Sequence, residues 1–225
     1  MNLDYIFPTP IWWVDLTIDV PKMQDICYEI ANTMEGKARS NRGLLNYQSP
    51  DFMGEQVIED FDNETQVDEF GLLLKDIKKN ALECYKTFGP MSTELDFANV
   101  WINLNGRGGY NEVHTHPGCV ISGVYYVKIP KEGEPGRICF HRDGMDGYVL
   151  HSLGVAEDMS TAEVPHTSST WSYPPVEGRL ILFPAWLSHG VRENETDEDR
   201  ISISFNLVPK RSKQDLLNIV RNNAT

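Results

Sequence analysis

Residues 96–129 read DFANVWINLNGRGGYNEVHTHPGCVISGVYYVKI. Three runs rich in β-branched and aromatic residues, at 96–105, 109–115 and 121–129, are cut by Asn105-Gly106, Gly108-Gly109 and Pro117-Gly118. The interruptions are turn dipeptides, so the stretch predicts three short strands. The same pattern continues downstream. Further strands are expected at about 136–141, 169–173, 179–183, 189–193 and 200–208, with Gly133-Glu134-Pro135-Gly136, Pro174-Pro175 and Glu177-Gly178 among the turns between them. Eight short strands joined by Gly/Pro turns indicate a barrel or jelly roll, and argue against a parallel sheet flanked by helices.

Upstream the period changes. Residues 5–16 suggest an opening strand broken by Pro8 and Pro10. Pro21 opens a predicted helix at 21–35, with Met23, Ile26, Cys27, Ile30 and Met34 inward. Residues 36–65 are polar and read as loop, a flap near the site. At 66–87, Val67, Phe70, Leu74, Ile77, Ala81 and Tyr85 recur at helical spacing, which predicts an amphipathic helix packed outside a sheet. The irregular stretch 143–168 is expected to loop over one mouth, and a last helix is expected at 212–222. The fold expected is therefore mainly β: a double-stranded β-helix, of the jelly-roll or cupin-like kind, with flanking α-helices. One domain spans 1–225 in this reading, with strand and helical support at 1–93, the β core at 94–209 and a C-terminal helix at 210–225.

Bulk composition narrows the function classes. The 225 residues carry a formal net charge of -13, which gives no electrostatic footprint for nucleic acid and is repelled by anionic membranes. No apolar run approaches the ~20 residues of a membrane helix. The N-terminal segment has no basic region of the signal-peptide kind. Cys27, Cys84, Cys119 and Cys139 form no CxxC pair, and read as reduced thiols, mostly in the core, of a cytoplasmic protein.

The chemistry-bearing residues lie within the predicted strands. In an extended strand, residues i and i+2 face the same way, so His114 and His116 would present two imidazoles side by side. His189 follows Phe183-Pro184 and returns near the start of a later strand, where it could join them. Two or three such ligands on one face leave open positions, the geometry of non-heme Fe(II) oxygenases. His141-Arg142-Asp143 competes with this set, because His-x-Asp is the commoner ligand spacing. Strand order places 114–116 where the first ligands of a double-stranded β-helix belong. His151 and His166 fall in the irregular loop and read as solvated.

After ten intervening residues His189 is followed by Arg200-Ile201-Ser202. Arg200 and Ser202 share a strand face and together offer a cation and a hydroxyl to one carboxylate. The bland alternative pairs Arg200 with Asp197, Glu198 and Asp199 on a surface turn. The interval after His189 favours the carboxylate.

The motifs Trp101-Ile102-Asn103, His114-Thr115-His116-Pro117, Ser122-Gly123-Val124-Tyr125-Tyr126-Val127 and Phe183 through His189 occur in this order. The chain thereby resembles the 2-oxoglutarate/Fe(II)-dependent oxygenases over about 96–208, and Phe7-Pro8-Thr9-Pro10 more weakly. The resemblance implies Fe(II), 2-oxoglutarate and O2. It makes His114 the first metal ligand and His189 the distal one, with His116 read as the third, and Arg200 and Ser202 the anchors of the distal carboxylate of 2-oxoglutarate. Tyr126 matches a strand tyrosine that touches the co-substrate in prolyl hydroxylases; it reads equally as a core aromatic. Asn103 would touch the co-substrate or a partner side chain. No catalytic residue beyond the ligands is implied.

One departure stands out. The superfamily usually has an acid where this chain has His116. Three imidazoles would leave the site one unit more positive. Alternatively His116 stands behind the iron, with water in the third place as in aspartyl/asparaginyl β-hydroxylases. The expected function is an Fe(II)- and 2-oxoglutarate-dependent dioxygenase hydroxylating a small molecule or a protein side chain. The alternatives are a cupin-like metal barrel acting as isomerase or sensor, which would not need Arg200, and a non-catalytic interaction module. Trp171, Tyr173 and Trp186 are candidate pocket residues, and a homodimer is left open.

Overall fold

A computed structural model describes residues 7–33, 46–51, 69–90, 92–142 and 168–210. Ten strands and two helices occur among them: β1 (Trp12–Asp15), α1 (Val20–Thr33), β2 (Asn46–Gln48), α2 (Glu69–Lys86), β3 (Leu95–Asn105), β4 (Asn111–His114), β5 (Ile121–Lys128), β6 (Ile138–His141), β7 (Thr170–Tyr173), β8 (Arg179–Pro184), β9 (His189–Val191) and β10 (Arg200–Pro209). All eight strands expected from residue 96 onward are present, with ends moved by at most a few residues. The stretch 36–65, read as loop, contains the short strand β2, which pairs Asn46–Gln48 against Asn103–Asn105. Three residues without alternation carry no strand signal of their own; the partner strand makes this one. The helix at 212–222 and the loop at 143–168 lie outside the described residues, apart from residue 168.

The strands form two antiparallel sheets, ordered β1-β8-β5-β10-β3-β2 and β4-β9-β6-β7. Alternation along β10 shows how they divide the core. Ile201, Ile203, Phe205 and Leu207 join Leu73, Ile77 and Met23 in the layer between the wide sheet and the helices. Between the sheets, Val124, Tyr126, Ile181 and Phe183 of the wide sheet meet Ile138 and Phe140 of the narrow one. This is a double-stranded β-helix, with both helices packed outside the wide sheet. Each fully buried Leu or Ile contributes roughly 1.5–3 kcal/mol to that packing.

The helices follow local rules. Asp19 caps α1, its carboxylate accepting from the Lys22 amide at 3.1 Å and its carbonyl from the Met23 amide at 2.9 Å. Pro21 lies in the first turn, where a missing N–H costs nothing. On α2, Phe70, Leu73, Leu74, Ile77, Ala81, Cys84 and Tyr85 are buried, a wider stripe than the one predicted. All four cysteines are unpaired. Burial pushes the Cys27 thiol up to about 12 and Cys84 to about 11, so both are inert packing groups. Among the described residues no helix is long and apolar enough to cross a membrane.

Candidate metal centre and anion pocket

β4 and β9 pair antiparallel, with His114 directly opposite His189. On its other side β9 pairs with β6, which places Phe140 opposite His189. His116 lies two residues beyond the end of β4. Its amide donates to Ala185 O at 2.9 Å and its carbonyl accepts from Cys119 N at 3.3 Å, so the Pro117-Gly118 turn holds it in place. The three rings form a triangle, with centroids 4.8 Å apart for His114–His116, 4.5 Å for His114–His189 and 5.1 Å for His116–His189. One nitrogen from each lies within 4.8 Å of the others, a spacing that could hold a metal ion. His141 is not in the group, and Asp143, His151 and His166 lie outside the described residues.

The tautomers of two rings are set from behind. His114 Nδ1 lies 2.6 Å from Glu112 O, and His189 Nδ1 lies 2.8 Å from Leu187 O. A carbonyl only accepts, so both Nδ1 atoms carry hydrogen and each Nε2 keeps its lone pair. Such backing is the usual support of a metal-bound histidine. Burial holds the His189 imidazole down to about 3, and the neighbouring His114 and His116 rings add to this. The His189 imidazole is therefore neutral at ordinary pH.

Arg200 begins β10, at 2% exposure. It meets none of Asp197, Glu198 or Asp199. Arg107 takes Asp197 at 2.6 Å, and Tyr28 donates to Asp199 at 3.2 Å. The Arg200 guanidinium instead donates from Nη1 to Pro135 O at 2.7 Å and Gly136 O at 3.1 Å, and from Nη2 to Asn105 Oδ1 at 3.0 Å. Burial pulls it down to about 10, still cationic at neutral pH. No carboxylate among the described residues pairs with it. A buried cation held only by neutral groups leaves the site short of an anion.

The neighbours agree. Ser202 stands opposite Tyr126 on β5 and Asn103 on β3. The Tyr126 hydroxyl is buried with no hydrogen-bond partner among the described residues. Burial pushes that phenol up to about 12, so it remains a donor. The same cavity is lined by His114, His116, His189, Tyr126, Arg200 and Ser202. A metal-bound acid with a second carboxylate reaching Arg200 would answer both the ring nitrogens and the unpaired donors.

Asn103 is placed differently from the other expected residues. Its amide donates to Ser204 Oγ at 3.1 Å, and it does not line the cavity. Asn105, not singled out from sequence, lines the cavity and orients Arg200, while its own amide donates to Asn46 Oδ1 at 3.3 Å. Ser204 and Trp101 also line the cavity. A signal for them existed in the alternation Arg-x-Ser-x-Ser-x-Asn at 200–206, which marks a polar inner face. Trp171, Tyr173 and Trp186 do not line it; Tyr173 packs on Phe140 and Trp186 is exposed.

A jelly roll with a histidine cluster on one sheet and a buried, anion-seeking arginine on the other is the frame of a non-heme iron oxygenase. The family model of 2OG-Fe(II) oxygenases matches residues 99–206. Over its β core the chain is thus similar to the 2-oxoglutarate/Fe(II) oxygenases, oxidoreductases that use Fe(II), 2-oxoglutarate and O2. The fold is shared with a Pseudomonas putida prolyl-4-hydroxylase, at 11% identity, 90% of this chain, 94% of that one and a TM-score of 0.58. It is shared with HygX from Streptomyces hygroscopicus, solved with nickel and 2-oxoglutarate, at 12% identity, 90% and 84% coverage and a TM-score of 0.54. A third likeness is the epimerase SnoN from nogalamycin biosynthesis, solved with Fe3+, alpha ketoglutarate and nogalamycin RO, at 12% identity, 89% and 79% coverage and a TM-score of 0.56. A search of the curated proteins finds no match.

Proposed function

We propose that this oxygenase hydroxylates a C–H bond of its substrate, with His114, His116 and His189 as metal ligands and Arg200, Ser202 and Tyr126 as the co-substrate socket. The observation that carries the reading is the buried Arg200, without a carboxylate among the described residues, in the same cavity as the three imidazoles.

Fe(II), when bound with 2-oxoglutarate and O2, would supply the oxidising chemistry: substrate R–H, O2 and 2-oxoglutarate would give R–OH, succinate and carbon dioxide. The chain's own residues do the rest. His114 and His189 are held as Nε2 donors by Glu112 O and Leu187 O. Three neutral imidazoles leave the metal's double charge uncompensated, and a dicarboxylate balances it. Arg200 takes the distal carboxylate, with the Ser202 and Tyr126 hydroxyls as further donors. Asn103 acts one step back, by fixing Ser204. Val124, Ile138 and Phe183 line the cavity and exclude water. A cupin-like isomerase or sensor would have no need of the buried cation.

The substrate is a small molecule or a protein side chain. The four unpaired cysteines suit a reducing compartment, the cytoplasm in this reading. Anaerobic calorimetry with Mn(II) and 2-oxoglutarate tests the proposal. Binding of 2-oxoglutarate that requires the metal is expected; a folded protein that binds neither would sink it.

A further inference from the structure

Two donor hydrogens are left over in the cavity. Among the described residues that line it, the Tyr126 hydroxyl and the Trp101 indole Nε1–H are buried without a hydrogen-bond partner. Tyr126 stands opposite Ser202 on β10, and its phenol is near enough to Arg200 to feel that charge. It therefore belongs with the anion socket. Trp101 lies farther along. It stands opposite Ser204, and its ring centroid is 6.2 Å from that of His116.

The two donors thus sort by neighbour, one beside the cation and one beside an imidazole. Each comes with a hydroxyl on β10: Ser202 faces Tyr126, and Ser204 faces Trp101. Ser204 Oγ accepts from the Asn103 amide at 3.1 Å, which leaves its own hydrogen to give. Val124, facing Ser204 from β5, brings no polar side-chain atom. An indole N–H only donates, so Trp101 neither binds a metal nor takes a proton. A buried donor without an acceptor weakens the fold, so the empty place in front of Trp101 calls for one. A carboxylate is the strongest acceptor that a chelating keto acid brings to that side of the cavity.

We propose that the Trp101 indole, with Ser204 beside it, donates to the carboxylate at the metal end of 2-oxoglutarate, as Arg200, Ser202 and Tyr126 do to the distal one. The inference rests on 2-oxoglutarate binding in this cavity. It gives the wide sheet two carboxylate rows, at 202 and at 204. A keto acid held at both ends by one sheet does not pivot about its distal carboxylate, so the chain itself sets how the co-substrate meets the metal.

Nuclear magnetic resonance of the nitrogen-labelled full chain, loaded with Zn(II), reads the indole directly. The chain has five tryptophans, and the Trp101 indole signal is assigned through its own backbone. Addition of 2-oxoglutarate is expected to move that signal downfield and to slow its exchange with solvent. An unmoved signal at saturation would overturn the inference. So would a signal that Gln48→Met moves and 2-oxoglutarate does not, which would give the donor to the unpartnered Gln48 Oε1. No 2-oxoglutarate binding at all in wild type would instead overturn the reading of the site on which the inference rests. Trp101→Phe keeps the ring and loses the donor. It is expected to weaken 2-oxoglutarate by roughly 10–100-fold, the worth of a hydrogen bond to a charged group, with Mn(II) affinity unchanged. Combined with Arg200→Gln, the two losses should multiply, because the residues hold opposite ends. A double variant no weaker than Arg200→Gln alone would place both on one carboxylate and overturn the assignment. Should the phenylalanine variant fail to fold, the wild-type indole signal decides.

Discussion

Gly136 and Arg200 meet so closely that a methyl group on Gly136 would strike both Arg200 Nη1 and Arg192 O. Gly136 also holds φ 84°, a left-handed conformation that costs an L-residue about 1–2 kcal/mol. The turn 133–136, legible in sequence only as a chain reversal, therefore packs directly against the Arg200 guanidinium. Gly136→Ala is expected to lower stability by at least ~1–2 kcal/mol in thermal denaturation. It should also weaken 2-oxoglutarate while leaving Mn(II) affinity near wild type. Equal losses of both ligands would mean that the turn supports the whole site and not the arginine.

Arg200→Gln removes the cation and keeps a planar polar group. Truncating one partner of a buried charge pair costs ~2–5 kcal/mol, so 2-oxoglutarate affinity should fall about 100-fold or more. Mn(II) binding in the absence of co-substrate should be unchanged, because Arg200 touches none of the three rings. Calorimetry with metal alone and then with co-substrate separates the two effects. Unaltered 2-oxoglutarate affinity would remove Arg200 from the socket.

Removal of the metal should be felt as lost stability. A ligand at 100 times its Kd raises stability by about 2.7 kcal/mol. Chelator-treated protein is expected to melt lower and to regain its melting temperature when Mn(II) is added anaerobically. His114→Ala and His189→Ala should abolish that response. His114→Ala is the cleaner variant, since His114 is only partly buried whereas His189 packs on Phe183 at 4.5 Å.

His189 predicts an acid limb. Its folded value is depressed to about 3, chiefly by burial, whereas an unfolded histidine titrates near ~6.5. Below that unfolded value the unfolded chain binds a proton that the folded chain refuses. Stability of the metal-free protein should hold above about pH 7 and fall as the pH is lowered toward 3. His189→Asn should flatten the slope in urea melts run between pH 7 and 4. A slope identical to wild type would assign the acid limb to other groups.

The sequence carried the strands and the two described helices, and most of the residues it singled out share one cavity. Period-2 alternation broken by turn residues located β3 through β10, because each strand there is half-buried and its turns need Gly or Pro. His114, His116 and His189 were legible from spacing, and Arg200 from its interval after His189. β2 escaped because its three residues owe their conformation to β3. Asn105 escaped because its role is to orient Arg200 across a strand pair, which no local pattern encodes. Asn103 read as a contact residue and lies behind Ser204 instead, since facing the right way does not fix depth. Asn206, which donates to Asn99 Oδ1 and accepts from Ser122 Oγ across β3, β10 and β5, required the register of three strands.

β10 alone carries Arg200, Ser202, Ser204 and Asn206 on one face, from the buried guanidinium to an amide nitrogen 3.3 Å from His116 Nδ1. Register irregularities lie at either end of that row, between Ile201 and Ser202 against β5 and between Asn206 and Leu207 against β3. The strand is thus a ruler of fixed pitch. With ~3.4 Å per residue and side alternation, the separation of anchor and metal changes only in steps of about 7 Å. A co-substrate one methylene longer or shorter cannot be accommodated by sliding the strand. With Arg200 as the proposed anchor, the length of the dicarboxylate would be set by the backbone, and freedom to suit a substrate would lie on the opposite side of the metal.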